Sequence, residues 1–339
     1  MNNLKYPLLK SNIKIGVTAP SSGVDMELHS LIDESKKAME SRGYHLSIGK
    51  TVWTQNKAKS DFATIRANEL MSMLLDNEIG AIIPPWGGEL MLEVLEYLDF
   101  NNFPEKWILG YSDISGLNLA ITLRTGIATA TGPNLVDLRG SQMDSVTGMW
   151  NEVLGTKFGD SIIQYSSSEF QESWDHSNPS PCIFHLTEKT EWKTISGKNE
   201  KIKGRILGGC IDIIRHLIGT PYGQVNEFRR KFTNQEPVIW YFENCELTAA
   251  DLKRTLTQMK YAGWFEDCLG ILFGRSAVDI PTGNYCNLDV YNDLANELAI
   301  PMIYDIDQGH VPPQITMING SFAEIHVEDG RGTVIQHFI

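Results

Sequence analysis

The sequence predicts an α/β fold around a parallel sheet, and two features of the chain predict it. Short apolar runs of strand length alternate with longer segments whose apolar residues recur at helical spacing. Strands that alternate with helices in this way pair in parallel, with helices on both faces of the sheet. The length of 339 residues exceeds one ordinary core and favours two domains.

The first third of the chain supplies four strands and four helices in order. The predicted strands cover residues 13–19, 44–48, 80–84 and 107–111, and each ends near a glycine, proline or serine. The predicted helices cover residues 28–39, 60–74, 89–98 and 113–123, with Ser60 as an N-cap. Ligands of parallel sheets bind where the strands end, so polar residues at strand ends are the first candidates for a site.

The second half of the chain begins after a segment without periodicity. Residues 164–181 are rich in turn formers, and the aromatic side chains of Phe170 and Trp174 need something to pack against, so the segment is a linker or an active-site loop. The predicted domains are residues 1–163 and 182–339. In the second domain we expect a glycine-rich turn at 204–209, strands at 238–242, 269–273 and 302–306, and a β-hairpin around residues 329–330.

Composition disfavours several classes of function. The formal net charge of −13 argues against general binding to nucleic acid or to an anionic membrane, because both surfaces would repel the chain. The five cysteines form no Cys-x-x-Cys pair and are expected to be reduced, so no metal site or cofactor is predicted. No apolar run has the length of a signal peptide or a membrane span, which predicts a cytoplasmic protein.

Ser112 follows the predicted strand at 107–111 and precedes a helix that Asp113 opens. A serine at such a turn has an exposed hydroxyl, and backbone N–H groups at the start of the helix lie nearby. These are the requirements of a nucleophile and half of an oxyanion hole. Ile114 stands where the α/β-hydrolase motif Gly-x-Ser-x-Gly has its second glycine, so the pattern differs from that motif. The alternative is that Ser112 only caps the helix.

Glu243 and His310 also follow predicted strands, which places them at the same kind of position as Ser112. A serine nucleophile needs a base that accepts its proton, and a histidine base needs a carboxylate that fixes its tautomer. His310, which follows a glycine, is the best base candidate among the eight histidines. The alternatives are a salt bridge or a helix cap for Glu243 and an ordinary loop position for His310.

A second oxyanion donor is expected from the segment Pro-Pro-Trp-Gly-Gly at residues 84–88. Glycine lets a backbone N–H approach a substrate carbonyl closely, so we pair an N–H of Gly87 or Gly88 with that of Asp113. The alternative is an ordinary turn between a strand and a helix. The next residue, Glu89, is a candidate for reading a substrate ammonium group, although the helix dipole alone also favours a glutamate there.

Several short motifs together resemble one known family. They are Pro-Trp-Gly-Gly at 85–88, Gly-Tyr-Ser-Asp at 110–113, Gly-Arg-Ile-Leu-Gly-Gly at 204–209, Phe-Glu-Asn at 242–244 and Gly-His at 309–310. In this order they resemble the serine peptidase family of LD-carboxypeptidases and microcin C self-immunity proteins. The resemblance implies a Rossmann-like N-terminal domain, a C-terminal domain with a swivelling β/α layout, and a homodimer with its site at the domain junction.

The resemblance also implies a role for each residue of the site. It implies that Ser112 is the nucleophile, Glu243 the acid and His310 the base. The implied oxyanion donors are Gly87, Gly88 and Asp113. The implied reaction is hydrolysis of an amide at or near a carboxyl terminus. Its substrate would be a small peptide or an aminoacyl-nucleotide, and no cofactor is implied.

Two branches of that family differ in substrate. The carboxypeptidase branch trims a D-amino acid from a murein tetrapeptide and commonly has arginine before the paired glycines, where this chain has Trp86. The immunity branch cleaves the amide between an aminoacyl group and a nucleotide analogue, and stacks loop aromatics on the base. Phe170, Trp174 and Trp192 are the candidates for that stacking role. The immunity branch is also expected to have asparagine and serine after the paired glycines, and this chain has a run that begins with Glu89 instead.

We therefore expect an immunity-like serine hydrolase of aminoacyl-nucleotide analogues. A carboxypeptidase acting on murein tetrapeptide is the alternative. A ligand-binding protein that has the cleft but no chemistry is an alternative of another class.

Overall fold

The computed structural model of the protein describes residues 4–11, 13–172 and 178–339. The first third of the chain forms a four-stranded parallel sheet in the order β2-β1-β3-β4. Its strands are β1 (Lys14–Val17), β2 (His45–Ile48), β3 (Ile79–Ile82) and β4 (Trp107–Ile108). The α/β class and the parallel sheet are confirmed.

Helices connect these strands. They are α1 (His29–Ser41), α2 (Ala63–Leu75) and, after β4, α3 (Ile114–Thr125). Between β3 and β4 the chain winds as a 3-10 helix at Met91–Tyr97 and not as the α-helix expected at 89–98. The first residue of this 3-10 helix is held by a residue of another segment, because the N–H of Met91 donates to the carboxylate of Asp113 at 2.9 Å.

The rest of the chain is dominated by an eight-stranded sheet in the order β6-β16-β15-β10-β11-β12-β13-β9, in which β10 to β13 are parallel. The strands after β4 are β5 (Thr129–Thr131), β6 (Ser161–Tyr165), β7 (Glu169–Phe170), β8 (Glu188–Lys189), β9 (Lys193–Thr194), β10 (Glu200–Cys210), β11 (Val238–Glu243), β12 (Cys268–Gly274), β13 (Met302–Ile306), β14 (Met317–Asn319), β15 (Phe322–Glu328) and β16 (Arg331–His337). The helices after α3 are α4 (Trp150–Leu154), α5 (Ile211–Ile214), α6 (Val225–Phe232), α7 (Ala249–Tyr261) and α8 (Asn287–Leu298). The hairpin predicted around residues 329–330 is confirmed by the antiparallel pairing of β15 with β16.

One prediction about the second half is wrong. The glycine-rich run at 204–209 is not a turn, because it lies inside the long strand β10. Its glycines are needed for packing: a Cβ on Gly208 would collide with the carbonyl of Tyr241 in the neighbouring strand, and one on Gly209 would lie 2.6 Å from Cβ of Ser115 in α3. Glycine inside a strand commonly marks such a close backbone approach.

Helix α3 packs against β10 of the eight-stranded sheet and against β5 and β14, which pair with each other. All its residues from Ile114 to Leu123 are buried, as expected for a helix that is covered on every side. Nδ2 of the Asn118 side chain donates to the carbonyls of Gly110 and Ala130 at 3.2 and 2.9 Å, which ties the helix to β5 and to the residues before Ser112. The helix that follows Ser112 is therefore a rigid central element.

The predicted domain limits remain a prediction. Strand β6 at Ser161–Tyr165 spans the limit drawn at residue 163 and pairs with β16 in the eight-stranded sheet. Among the residues that the structure describes, no helix has both the length and the apolar character needed to cross a membrane.

Candidate active site

Ser112 lies at the turn between β4 and α3, with a backbone φ of 62°. A residue with a side chain in this left-handed region costs about 1–3 kcal/mol of strain. Gly87 lies directly against it: a Cβ added to Gly87 would be 2.6 Å from Cβ and 2.8 Å from Oγ of Ser112. The turn thus has the strained geometry of a nucleophile elbow, and the facing segment needs a glycine.

The structure brings Ser112, His310 and Glu243 into hydrogen-bond contact. Nε2 of His310 lies 3.1 Å from Oγ of Ser112, and Nδ1 of the same ring lies 2.8 Å from Oε2 of Glu243. Ser112 follows β4, His310 follows β13, and Glu243 is the last residue of β11. One imidazole nitrogen faces a hydroxyl and the other faces a carboxylate, which is the arrangement that activates a serine.

The electrostatics of His310 and Glu243 reinforce this arrangement. Glu243 is only 1% exposed, and burial alone would raise its pKa, but the charge and hydrogen bond of His310 outweigh burial and lower it. Burial in turn would lower the pKa of His310, and the Glu243 carboxylate reverses that effect and raises it to about 9. The carboxylate therefore stabilises the protonated form of the His310 imidazole.

The surroundings of His310 hold its ring in place. Gly309 has a φ of 100°, and a Cβ there would lie 2.6 Å from Cβ of Glu243. The buried ring of Tyr111 meets the His310 ring edge to face, with centroids 5.0 Å apart. The imidazole is therefore fixed by close backbone packing on one side and by an aromatic ring on another.

A buried carboxylate anchors the loop that carries His310. Asp307 accepts hydrogen bonds from Arg275 Nη2 at 2.6 Å, from the Ser167 N–H at 3.0 Å and from Trp192 Nε1 at 2.8 Å. Trp192 is 1% exposed. The sequence-based expectation that Trp192 contacts substrate is thus corrected, because its indole is committed to Asp307 in the core.

The predicted oxyanion donors lie on one side of Ser112. A Cβ on Gly87 would be 3.0 Å from the backbone nitrogen of Asp113, so these two segments are adjacent. Gly88 has a φ of 138° and packs against the side chains of Ser21 and Ser22. The carboxylate of Asp113 accepts a hydrogen bond from the hydroxyl of Ser21, which ties the start of α3 to the loop after β1.

Ser112 opens onto a cleft that contains two cavities with shared walls. The first has a volume of about 420 Å³ and is lined by Glu89, Gln171, Glu172, His310 and neighbouring residues. The second, of about 280 Å³, is also bordered by Ser112 and Glu89. Glu89 is exposed at the rim, and partial desolvation followed by the charges of Glu246 and Asp113 raises its pKa.

The aromatic residues predicted to contact substrate lie in different surroundings. The ring of Phe170 lies 4.7 Å from the Arg275 guanidinium and borders a third cavity of about 320 Å³. That cavity shares Glu172 and Val311 with the cavity at His310. Trp174 falls outside the described residues.

Two residues of the site were missed by reasoning from the sequence. Ser21 follows β1, and the rule that sites form at strand ends could have found it. Gln171 is 2% exposed and lines the larger cavity, and its Oε1 accepts the N–H of His185 at 2.7 Å. Within the described part of the chain, its Nε2 has no hydrogen-bond partner. Gln171 lies in the segment without periodicity, so no sequence signal pointed to it.

Comparison with protein families gives two matches. The model of the LD-carboxypeptidase N-terminal domain matches residues 15–132, and that of the LD-carboxypeptidase C-terminal domain matches residues 203–325. A Vibrio cholerae protein provisionally named a carboxypeptidase is 25% identical over 89% of both chains. A Bacillus subtilis protein named a probable murein peptide carboxypeptidase is 23% identical over 98% of this chain and 94% of its own.

Solved structures share the whole fold. An MccF-like protein from Bacillus anthracis has a TM-score of 0.83 at 22% identity and covers 98% of this chain and 99% of its own. The microcin C7 self-immunity protein MccF in complex with aspartyl sulfamoyl adenosine has a TM-score of 0.83 at 18% identity and covers both chains completely. A muramoyltetrapeptide carboxypeptidase from Oxalobacter formigenes has a TM-score of 0.73 at 17% identity, with 96% of this chain and 98% of its own covered.

Proposed function

The chain belongs to the LD-carboxypeptidase family and is a hydrolase, and on that premise we propose that Ser112, His310 and Glu243 are its catalytic triad. One observation carries the proposal: the imidazole of His310 lies within hydrogen-bond distance of both partners, at 3.1 and 2.8 Å. A serine becomes a nucleophile when a base accepts its proton and a third group holds that base in the correct orientation.

In the first half of the reaction, Oγ of Ser112 attacks the carbonyl carbon of an amide while Nε2 of His310 accepts the hydroxyl proton. Glu243 accepts the hydrogen bond from Nδ1–H, which fixes the tautomer and stabilises the imidazolium. The carbonyl oxygen becomes an oxyanion beside the strained turn. Backbone N–H groups of Asp113 and of Gly87 or Gly88 would hold it, and preorganised donors of this kind stabilise the transition state strongly.

In the second half, the imidazolium of His310 gives its proton to the leaving amine as the carbon–nitrogen bond breaks. The product is an ester between the acyl group and Ser112. His310 then takes a proton from a water molecule, the hydroxide attacks the ester, and Ser112 regains its proton. The same base thus serves both halves, as in other serine hydrolases.

For the substrate we propose an aminoacyl-nucleotide analogue, cleaved at the amide that joins its two parts. The support is the likeness of fold to an immunity protein solved with aspartyl sulfamoyl adenosine. The cleft also extends past His310 to Phe170 and Arg275, which gives a second group of substrate a place away from Ser112.

A carboxypeptidase acting on murein tetrapeptide is the second candidate. The Bacillus subtilis relative named a probable murein peptide carboxypeptidase covers 98% of this chain, so the whole architecture is shared with it. Trp86 stands where arginine is common in that branch and argues for the first candidate.

The test compares both substrates on one purified protein. We expect mass spectrometry to detect the free amino acid from an aminoacyl sulfamoyl adenosine and little cleavage of a murein tetrapeptide. Ser112→Ala should abolish the reaction, whereas substitution of the buried second residue of α3, Ser115→Ala, should not. Binding without turnover in the unaltered protein would support the ligand-binding alternative and refute the hydrolytic triad.

We also propose that the protein is a homodimer in the cytoplasm, as the family resemblance implies. Light scattering after size-exclusion chromatography would measure the mass directly. A mass near that of one 38.0 kDa chain would refute the dimer.

A further inference from the structure

A cluster of two thiols and a carboxylate lies in the wall of the cleft, outside the triad. It consists of Cys210 at the end of β10, Asp212 in α5 and Cys245 just after β11. Across the part of the chain that the structure describes, this is the one group of at least three histidine, cysteine or acidic side chains whose donor atoms all lie within 4.8 Å of one another. All three side chains border the smaller cavity at Ser112.

The distances in this cluster fit a tetrahedral metal ion. With Zn–S bonds of about 2.3 Å and Zn–O bonds of about 2.0 Å, a tetrahedral centre separates two sulfurs by about 3.8 Å and a sulfur from an oxygen by about 3.5 Å. Sγ of Cys210 lies 3.8 Å from Sγ of Cys245 and 3.4 Å from Oδ2 of Asp212. These two distances match the spacing that the ion requires, and the third, between Cys245 and Asp212, is within 4.8 Å.

The backbone holds these ligands in place. The carboxylate of Asp212 accepts N–H groups of Cys245 at 3.0 Å, Glu246 at 2.9 Å and Leu247 at 3.1 Å, so it fixes the loop that carries the second thiol. Each carboxylate oxygen has two lone pairs and can accept a hydrogen bond while it binds a cation. Cys210 is held by the parallel pairing of β10 with β11, in which it lies opposite Glu243.

We propose that Cys210, Cys245 and Asp212 form a binding site for a thiophilic divalent cation such as Zn²⁺ or Cd²⁺, with its fourth coordination position open to the cleft. Two thiolates and one carboxylate select such an ion over Mg²⁺ or Ca²⁺, which prefer oxygen ligands. The site is additional to the triad and does not depend on the proposed substrate.

Binding at this site should inhibit hydrolysis. The ion would occupy the smaller cavity beside Ser112, bound by the two thiolates and the carboxylate of its wall. An ion at this position narrows the space that a substrate needs beside Ser112. The cluster therefore makes turnover sensitive to the free concentration of soft metal ions.

The first experiment measures binding directly, with Co²⁺ as a spectroscopic probe and a phosphine reductant to keep the thiols reduced. We expect one cobalt ion per chain, a thiolate-to-cobalt charge-transfer band and the visible bands of tetrahedral cobalt, and we expect Zn²⁺ to displace the cobalt. Cys245→Ser and Cys210→Ser should each lose the charge-transfer band or weaken binding by at least about tenfold. Cys286→Ser is the matched control, because this cysteine caps α8 and serine also serves as a cap.

The outcomes separate the metal site from the hydrolase. Ser112→Ala should bind cobalt as the unaltered protein does, so a failure of the triad leaves this result unchanged. If the chain turns over a substrate, stoichiometric Zn²⁺ should suppress the reaction, a chelator should restore it, and Cys245→Ser should resist it. No charge-transfer band in the reduced protein, or an equal band in the Cys210→Ser and Cys245→Ser variants, would overturn the proposal.

Discussion

The two sides of the cleft hold their functional groups by different physical means. On the side of the four-stranded sheet, Ser112 is positioned by backbone geometry: a φ of 62° and a glycine at 87 that leaves no room for a side chain. On the side of the eight-stranded sheet, buried charge adds to the packing that positions His310. Its partner Glu243 is buried, and its loop is anchored by the ion pair of Arg275 with Asp307.

This difference predicts different responses to substitution. A group held by sterics should fail when volume is added, and it should do so without a change in pH dependence. A group held by buried charge should fail when charge is removed, and the failure should appear in stability or in the pH profile. Four substitutions test the contrast, from the largest expected effect to the smallest.

Ser112→Ala removes the proposed nucleophile and leaves the strained turn in place. We expect kcat to fall by roughly 10⁶-fold, as is found when a triad serine is removed, while substrate affinity is kept. Single-turnover kinetics and calorimetric binding would separate the two quantities. Residual turnover within tenfold of the unaltered protein would place the chemistry elsewhere.

Glu243→Gln removes the charge that orients His310. We expect turnover to fall by about 10⁴-fold, the size of loss seen when a triad carboxylate becomes an amide. In the unaltered protein the raised pKa of His310 means that the neutral base appears only above the usual imidazole range, so activity should rise toward alkaline pH. Without the carboxylate that pKa falls.

The measurement for Glu243→Gln is therefore a pH profile of kcat/KM. Its acid limb should move to lower pH in the variant, although the maximum rate is smaller. Glu266→Gln, an exposed glutamate beyond α7, should leave both limb and maximum in place. An unmoved acid limb in Glu243→Gln would contradict the assignment of His310 as the base.

Asp307→Asn leaves Arg275 as a buried charge without its carboxylate. Breaking one partner of a buried ion pair costs about 3–5 kcal/mol, so we expect that loss in the free energy of unfolding. Urea denaturation followed by tryptophan fluorescence would measure it. The control is Asp305→Asn, because the pair of Asp305 with Lys193 is largely exposed and should contribute about 0–1 kcal/mol. Equal losses in both variants would show that burial does not distinguish them.

Gly87→Ala adds one methyl group where it would meet Ser112. A misplacement of a reacting group by about 1 Å can cost roughly 100-fold, and we expect kcat to fall by that factor with the acid limb unchanged. Gly148→Ala is the control, because a Cβ there would have one close neighbour, Cβ of Met143 at 3.3 Å, and a shift of a few tenths of an ångström would relieve that contact. An intact rate in Gly87→Ala would show that the turn is less constrained than its packing indicates.

Sequence reasoning found the candidate residues on both sides of the cleft, but it did not find the ion pair that anchors the loop of His310. The strand ends predicted Ser112, Glu243 and His310 as candidates, because each of them follows an apolar run of strand length. The roles of Asp307 and Arg275 could not be predicted, since their pairing depends on how β12 and β13 lie beside each other. The run at 204–209 was misread because glycines mark both turns and close contacts, and only the neighbouring Tyr241 and Ser115 decide between them.

The position of α3 limits how such a protein can change during evolution. The helix is encoded in the first half of the chain, yet β10 packs against it so closely that Gly209 and Ser115 leave no space for another carbon atom. Recombination that exchanged one half with a distant relative would join surfaces that were never selected together. New specificity would instead arise by single substitutions at the rim of the cleft, where Glu89 and Glu172 are exposed. Such substitutions leave the packed interface between α3 and β10 unchanged.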